Sequence, residues 1–324
     1  MKEQIKNPET LHQPVLLTET LEYLAAAAGT FVDATLGLGG HAEAILQASD
    51  GTKIIGLDQD LEAIAIAEKR LAKFGDRCRI FHANFSEIEN VLERAGVKKV
   101  NGILADLGVS SLQLDSPSRG FSFRFDAPLD MRMNPDSETR TAFELLETLS
   151  EFEIARIIYE YGEERFSRRI ARRIVEKRER GKTPQTTREL AELVAGAVRA
   201  NKKERIHPAT KTFQALRIAV NGELEILEDF IRAAVEKLKI DGRLAVISFH
   251  SLEDRIVKQV FQNLAGKCAC PPRLPVCVCG AEKQIEILTR KPVAADELET
   301  GKNPRARSAK LRVCRKLNRI ERSV

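Results

Sequence analysis

Acids, a histidine and a run of glycines stand where α/β proteins do their chemistry. The stretch Asp33-Ala34-Thr35-Leu36-Gly37-Leu38-Gly39-Gly40-His41 follows the apolar pair Phe31 and Val32 and precedes a helical pattern. Glycine admits positive φ and lacks a Cβ, so backbone there can approach a bound cofactor closely. Two cofactors suit such a loop. Gly37, Gly39 and Ala42 satisfy the G-x-G-x-x-G/A pattern of dinucleotide sites. Asp58, about 20 residues beyond, can hold the ribose of either a dinucleotide or S-adenosylmethionine. Asp33 separates them, because a carboxylate at the mouth of the loop repels a pyrophosphate and suits the cationic end of S-adenosylmethionine. The methyl donor is favoured; glycines kept only for packing are the plainer alternative.

Ligands of an open α/β sheet bind beyond the carboxyl ends of its strands. Polar residues crowd those ends: Asp33, Asp58, Asn84 with Phe85, Asp106 with Ser110 and Ser111, and Ser248 with His250 and Ser251. Asp106 is the candidate proton acceptor for a reacting amine. His250 is the second candidate, since imidazole titrates near neutral pH, although a capping or packing histidine is an equal reading. Ser251 and Asp254 have capping-box spacing for the helix that follows. Phe121, Phe123 and Phe125 offer either stacking surfaces for a displaced base or a plug between domains.

The elements that must place these residues are legible in the apolar pattern. Phe31 to Thr35, Lys53 to Asp58, Arg79 to His82 and Gly102 to Asp106 read as strands, with helical spacing between them at Ala63, Ile64, Ala67 and Leu71. This is the βαβ rhythm of a parallel sheet covered by helices on both faces. A loop from Gly108 to about Pro135 interrupts it, and three amphipathic helical groups follow. Residues 112–209 therefore read as an all-helical insertion into a discontinuous domain of residues 1–111 and 210–324. The rhythm resumes with one long helix from Phe213 to Leu238, a strand from Arg243 to Phe249, a helix from Ile256 to Leu264, and late strands at Ile285 to Leu288 and Ala309 to Leu317.

The 324 residues suffice for about two domains. A net charge of +5 is modest but unevenly spread. Arg165 to Lys182 holds nine basic residues against two acids, and Lys302 to Arg319 holds eight against none. Both stretches suit phosphates, and Arg168, Arg169, Arg172 and Arg173 fall near one helix face. No apolar run approaches the roughly 18 residues of a membrane span, and Met1 to Leu17 lacks the core of a signal peptide, so a cytoplasmic protein without membrane contact is expected. Cys268, Cys270, Cys277 and Cys279, spaced C-x-C-x6-C-x-C, can supply four thiolates to a structural zinc, although such sites more often use two-residue gaps. The cluster is a candidate metal set, not an assigned one.

An ordered series of segments now carries a specific resemblance. His12-Gln-Pro-Val-Leu-Leu, the Gly37 to His41 loop, Asp106-Leu-Gly-Val-Ser-Ser-Leu-Gln113, Arg119-Gly-Phe-Ser-Phe123 and Pro128-Leu-Asp-Met-Arg-Met133 are followed by Tyr161-Gly-Glu-Glu-Arg-Phe166, His207-Pro-Ala-Thr-Lys-Thr-Phe-Gln214, Ser248-Phe-His-Ser-Leu-Glu-Asp-Arg255 and Asn303-Pro-Arg-Ala-Arg-Ser308. The series spans nearly the whole chain and resembles the bacterial small-subunit (16S) ribosomal RNA cytosine-N4 methyltransferases.

The resemblance implies a Rossmann-like class I S-adenosylmethionine-dependent methyltransferase sheet with an inserted helical domain. It implies methyl transfer to the exocyclic amine of a cytosine in the decoding region, on 16S rRNA or the small subunit, with oligomeric state left open. By the same resemblance Gly39, Gly40 and His41 line the donor, Asp58 holds its ribose, Phe85 packs near the adenine, and Asp106 and Gln113 complete the site. Nucleobase amine methylases often carry a polar-proline-aromatic motif at the fourth strand end. This chain has Asp106-Leu107-Gly108 instead, so a backbone-carbonyl role does not transfer and Asp106 is either the base or a cofactor contact only.

Overall fold

A computed structural model describes residues 14–198, 207–268, 270 and 282–318. The chain divides into two compact units, one of residues 1–108 with 224–324 and one of residues 109–223.

The first unit begins with α1 (Leu17–Leu24), β1 (Gly29–Asp33), α2 (Gly40–Gln47), β2 (Thr52–Asp58), α3 (Leu61–Leu71), β3 (Cys78–His82), α4 (Ile88–Arg94) and β4 (Val100–Asp106). The second unit comprises α5 (Ser111–Asp115), α6 (Ala142–Thr148), α7 (Glu151–Gly162), α8 (Ser167–Arg178), α9 (Thr187–Ala197) and α10 (Thr210–Asn221). The first unit closes with α11 (Leu227–Lys237), β5 (Leu238–Ser248), α12 (Ser251–Leu264), β6 (Ile285–Ile287), α13 (Glu297–Lys302) and β7 (Lys310–Lys316).

The seven strands form one sheet in the order β3-β2-β1-β4-β5-β7-β6. The first five are parallel, and β7 runs antiparallel to both of its neighbours. This is the class I methyltransferase sheet expected above. Consecutive apolar residues explain why it is covered twice. Val32, Ile55, Ile103 and Val246 enter a core with α4, α11 and α12, while Phe31, Ile54, Leu104 and Ala245 enter another with α1, α2 and α3. Successive side chains of a strand point to opposite faces, so a strand buried on both faces must be apolar throughout.

The helical unit has its own core, from Phe121, Leu129 and Met131 through Ile158, Ile174 and Leu190 to Phe213 and Val220. Four of its helices start with reciprocal capping boxes: Ser110 with Gln113, Thr141 with Glu144, Ser150 with Glu153, and Thr186 with Glu189. Each satisfies otherwise orphaned N–H groups at a helix start.

The long helix expected from Phe213 to Leu238 is two helices. Gly222 ends α10 in the left-handed region at φ 59°, and α11 begins five residues later at Leu227. Phe213, Leu216 and Val220 belong to the helical core, so residues 210–223 group with 109–209 rather than with the sheet, where the sequence pattern had put them. Among the described residues no helix is long and apolar enough to cross a membrane.

Candidate active site

The glycine loop is held between two strands by backbone bonds. Ala34 N–H donates to Leu104 O of β4, and Leu36 N–H donates to Leu57 O of β2. Asp58 then fastens the loop itself: its Oδ2 accepts from Gly37 N–H at 2.6 Å and its Oδ1 from Asp60 N–H at 2.9 Å. A carboxylate offers about four lone-pair positions, so capacity remains for a ribose hydroxyl.

The glycines divide by role. Gly37 and Gly39 both have positive φ, at 51° and 77°. A Cβ on Gly37 would meet only its own loop's Thr35 O, at 3.9 Å, whereas one on Gly39 would meet Leu71 Cδ1 at 3.2 Å and one on Gly40 would strike Pro14 Cγ at 2.6 Å. Gly39 and Gly40 thus allow the loop to pack on α3 and on Pro14. Gly37 is the position open toward space; the loop pattern included it, whereas the donor-lining set that the resemblance implied began at Gly39.

Asp33 is not at the mouth of the loop but beneath it, 1% exposed. Its Oδ1 accepts from Thr35 N–H at 3.3 Å, and its Oδ2 is buried without a hydrogen-bond partner. Burial foremost, with the nearby Asp58 charge, lifts its pKa to about 7 against the stabilising Thr35 and Ala42 N–H groups. Burial likewise raises Asp58 above the ordinary carboxylate range.

Asp106 ends β4 directly beside this group. Its backbone N–H donates to Thr35 Oγ1 at 2.6 Å, its Oδ1 is buried without a partner, and its Oδ2 lies 3.7 Å from His41 Nδ1. Burial, then the charges of Asp33 and Glu253, push its pKa well above the usual value. The other His41 nitrogen, Nε2, is 3.0 Å from Val15 O. A carbonyl only accepts, so Nε2 carries the proton and Nδ1 is the nitrogen turned to Asp106. Glu253, 1% exposed, was missed by the sequence reading although its spacing from His250 is that of a capping box.

His250 is the N-cap of α12. Its Nδ1 accepts from Glu253 N–H at 3.4 Å, and its Nε2 lies 3.2 Å from Glu253 Oε1, close enough for electrostatic pairing but outside hydrogen-bond angles. Only Nδ1 serves the cap, and the expected Ser251–Asp254 cap is displaced by one residue because Ser251 is already helical. Asp254 instead receives Arg312 Nε at 2.6 Å.

Phe85, half-buried after β3, meets the Phe230 ring edge-to-face at 4.9 Å. Gln113 lies in the helical unit, where its Oε1 accepts from Ser110 N–H at 3.0 Å. The three loop phenylalanines separate: Phe121 is in the helical core, Phe123 packs against His207 and Phe213 at 4.7 and 5.0 Å, and Phe125 is exposed. Phe121 is therefore not a stacking surface. Cys277 and Cys279 lie outside the described residues, so the four-thiolate set is not described; no other metal-holding cluster occurs among the described residues.

Asp33, Asp58, Asp106 and Glu253 thus gather carboxylates at the strand ends, and two oxygens lack partners. Orphaned buried carboxylate oxygens call for a cation, and S-adenosylmethionine brings a sulfonium and an ammonium. A pyrophosphate would add charge of the same sign.

Comparison with known proteins agrees. The profile of the MraW methylase family matches residues 9–317. The chain belongs to that family. It is an S-adenosylmethionine-dependent methyltransferase, as the sequence resemblance implied. The MraW-family chain is 51% identical over 311 residues to the ribosomal RNA small subunit methyltransferase H of Carboxydothermus hydrogenoformans, covering 96% of this chain and 99% of that one. It is 53% identical over 310 residues to the protein of the same name from Geobacter sulfurreducens, covering 94% and 99%.

Proposed function

We propose that this methylase modifies the N4 amine of a cytosine in the decoding region of 16S rRNA, free or within the small subunit. The observation that carries the reading is full-length identity of about half to relatives named for small-subunit ribosomal RNA. The acid cluster at the strand ends supports the donor half of the reaction.

Cytosine's exocyclic amine shares its lone pair with the ring and is a poor nucleophile. Orientation supplies much of the rate, by making the displacement effectively unimolecular. S-adenosylmethionine, when bound, supplies the electrophilic methyl group. Gly37, Gly39, Gly40 and Asp58 shape its cradle, and Phe85 offers the free part of its ring to the adenine. Asp33 acts from beneath as a negative charge once it has given up its proton.

Asp106 takes the amine proton, since it joins an unsatisfied oxygen to a raised basicity. His41 turns its unprotonated Nδ1 toward Asp106 and can accept a hydrogen bond from that carboxyl once it has taken the proton. His250 is not assigned as the acceptor, because its Nδ1 serves the α12 cap and its Nε2 is turned to Glu253 Oε1. The discontinuous α/β domain holds the donor, and the helical insertion serves the RNA.

The test incubates the protein with methyl-labelled S-adenosylmethionine and either assembled small subunits or naked 16S rRNA, followed by nucleoside analysis. Label on cytosine N4 in either substrate is the expected result. No transfer to either overturns the reading.

A further inference from the structure

The acid cluster that suits the donor repels an RNA strand, so the same unit needs cations close by to hold phosphates. A cleft of ≈ 330 Å³ between α12 and the edge strand β6 has that character. It is lined by Lys258, Lys283, Arg290 and Arg312, with Phe261 and Glu286 among the other walls. Arg312 is 7% exposed and is held by Asp254 through Nε. Glu286 is engaged by Arg315 and so does not cancel the cleft's charge. Lys258, Lys283 and Arg290 are exposed and make no ion pair or side-chain hydrogen bond among the described residues. A guanidinium fixed in advance, with mobile cations around it, is the arrangement that recognises a phosphate.

Register places the cleft with respect to the site. Arg312 pairs with Val246 of β5, and Asp106 pairs with the next residue, Ile247. Arg312 is therefore level with Asp106 along the strand direction. β4 and β6 are three strand spacings apart, roughly 14 Å. The β6 wall, paired through Arg315 and Cys314 with Arg243 and Leu244, lies three or more residues, upward of roughly 10 Å, toward the amino ends of the strands from Asp106, so the cleft is a few nucleotides of chain from the site.

We propose that this cleft binds a backbone phosphate of the substrate RNA near the target nucleotide. The inference rests on the RNA-methylase reading above. Small-ligand sites begin at about 300 Å³, so a phosphate with its adjoining sugar fits the volume.

The test compares wild type with the variant Lys258→Gln/Lys283→Gln/Arg290→Gln. All three residues are exposed, and none belongs to the donor site. Binding of a labelled 16S rRNA fragment is followed by fluorescence anisotropy across a salt series, and donor binding by calorimetry. The expected result is at least tenfold weaker RNA binding and a salt slope about 0.7 smaller in magnitude, the value for one single-strand phosphate neutralised, with donor affinity unchanged.

RNA affinity and slope equal to wild type overturn the cleft assignment. So does an equal loss on neutralising Lys53, Lys69 and Lys98, which are exposed on β2, on α3 and after α4. Wild type that neither binds nor methylates RNA overturns the underlying reading instead, and the inference with it.

Discussion

His41 Nδ1 faces Asp106 Oδ2 across 3.7 Å, while His41 Nε2 is fixed on Val15 O at 3.0 Å. The carbonyl decides which ring nitrogen is protonated, and so decides what Asp106 meets. A bare Nδ1 offers a carboxylate no hydrogen bond and can accept one only from Asp106 in its protonated form, which leaves the unsatisfied oxygen Oδ1 unconsumed. Asp106→Asn keeps the shape and removes the base. General-base catalysis is worth about 10²–10⁴ in rate, so kcat in the RNA assay should fall by that order. Calorimetry should show donor affinity changed by less than tenfold. Full turnover with normal donor binding would exclude Asp106 as acceptor.

Asp33 predicts an opposition between stability and donor binding. Its pKa of about 7 in the folded protein, against 3.8 ordinarily, means the native state binds this proton more tightly than the unfolded chain. The stabilisation is complete below about pH 4 and is lost as pH rises to about 7. At roughly 1.4 kcal/mol per pKa unit the free protein forgoes on the order of 4 kcal/mol at pH 8. Asp33→Asn should therefore melt higher than wild type at pH 8 in calorimetric scans, and the gap should close by pH 4. Donor affinity of wild type should rise with pH through 7, and that of the variant should not. Parallel melting curves at both pH values would show that Asp33 is not strained by burial.

The strand ends were legible because apolar runs stop at polar residues, and Asp58 and Asp106 end β2 and β4 as read. Asp33 was placed on the right strand but too near the surface, since a sequence does not record how deep a carboxylate sits. Of the two readings left open for His250 the structure bears out the cap, and the cap was first placed on Ser251 because capping patterns are written around Ser, Thr, Asp and Asn. The break at Gly222 was hidden because Phe213, Leu216, Val220, Leu224 and Leu227 keep a helical period straight through it. Aromatic identity likewise could not separate Phe121, buried in the helical core, from Phe125, which is exposed.

The two strained glycines should fail differently. Alanine in the left-handed region costs about 1–2 kcal/mol, so both Gly37→Ala and Gly39→Ala should lower Tm by a few degrees. Gly39→Ala should lower it further, because its Cβ meets Leu71 Cδ1 at 3.2 Å. Gly37→Ala should weaken donor binding more than its Tm loss accounts for, since its Cβ points into open space beside Asp58. Equal donor affinities for the two variants would remove Gly37 from the cofactor cradle.

His250 as a cap, and not a base, makes a prediction of opposite form. His250→Ala should cost about 1 kcal/mol, the ordinary value of a lost cap, read from denaturant unfolding. His250→Asn supplies an oxygen to the same N–H and should recover most of that stability. Its kcat should match wild type across pH 6–9. A stable Asn variant with a collapsed kcat would return His250 to the chemistry.

The basic face of α8 concerns the other compact unit and is tested separately from the α12 cleft. Ser167, Ile170, Ala171 and Ile174 are buried, which leaves Arg168, Arg169, Arg172 and Arg173 exposed on the opposite side, as their spacing required. Arg172 is 3.8 Å from Glu151, but both are well exposed, so the pair contributes little. A charged face that adds so little to folding is free to meet phosphates. Replacing the four arginines by glutamate should leave Tm within a few degrees of wild type. RNA binding should weaken, and its salt slope should shrink by roughly 0.7 for each phosphate that the helix no longer neutralises. The assay must use substrate above Kd as well, because losing arginines that only bind RNA raises KM and leaves kcat alone. Unchanged affinity and unchanged slope would mean that α8 is a solvated face and that the insertion meets RNA elsewhere.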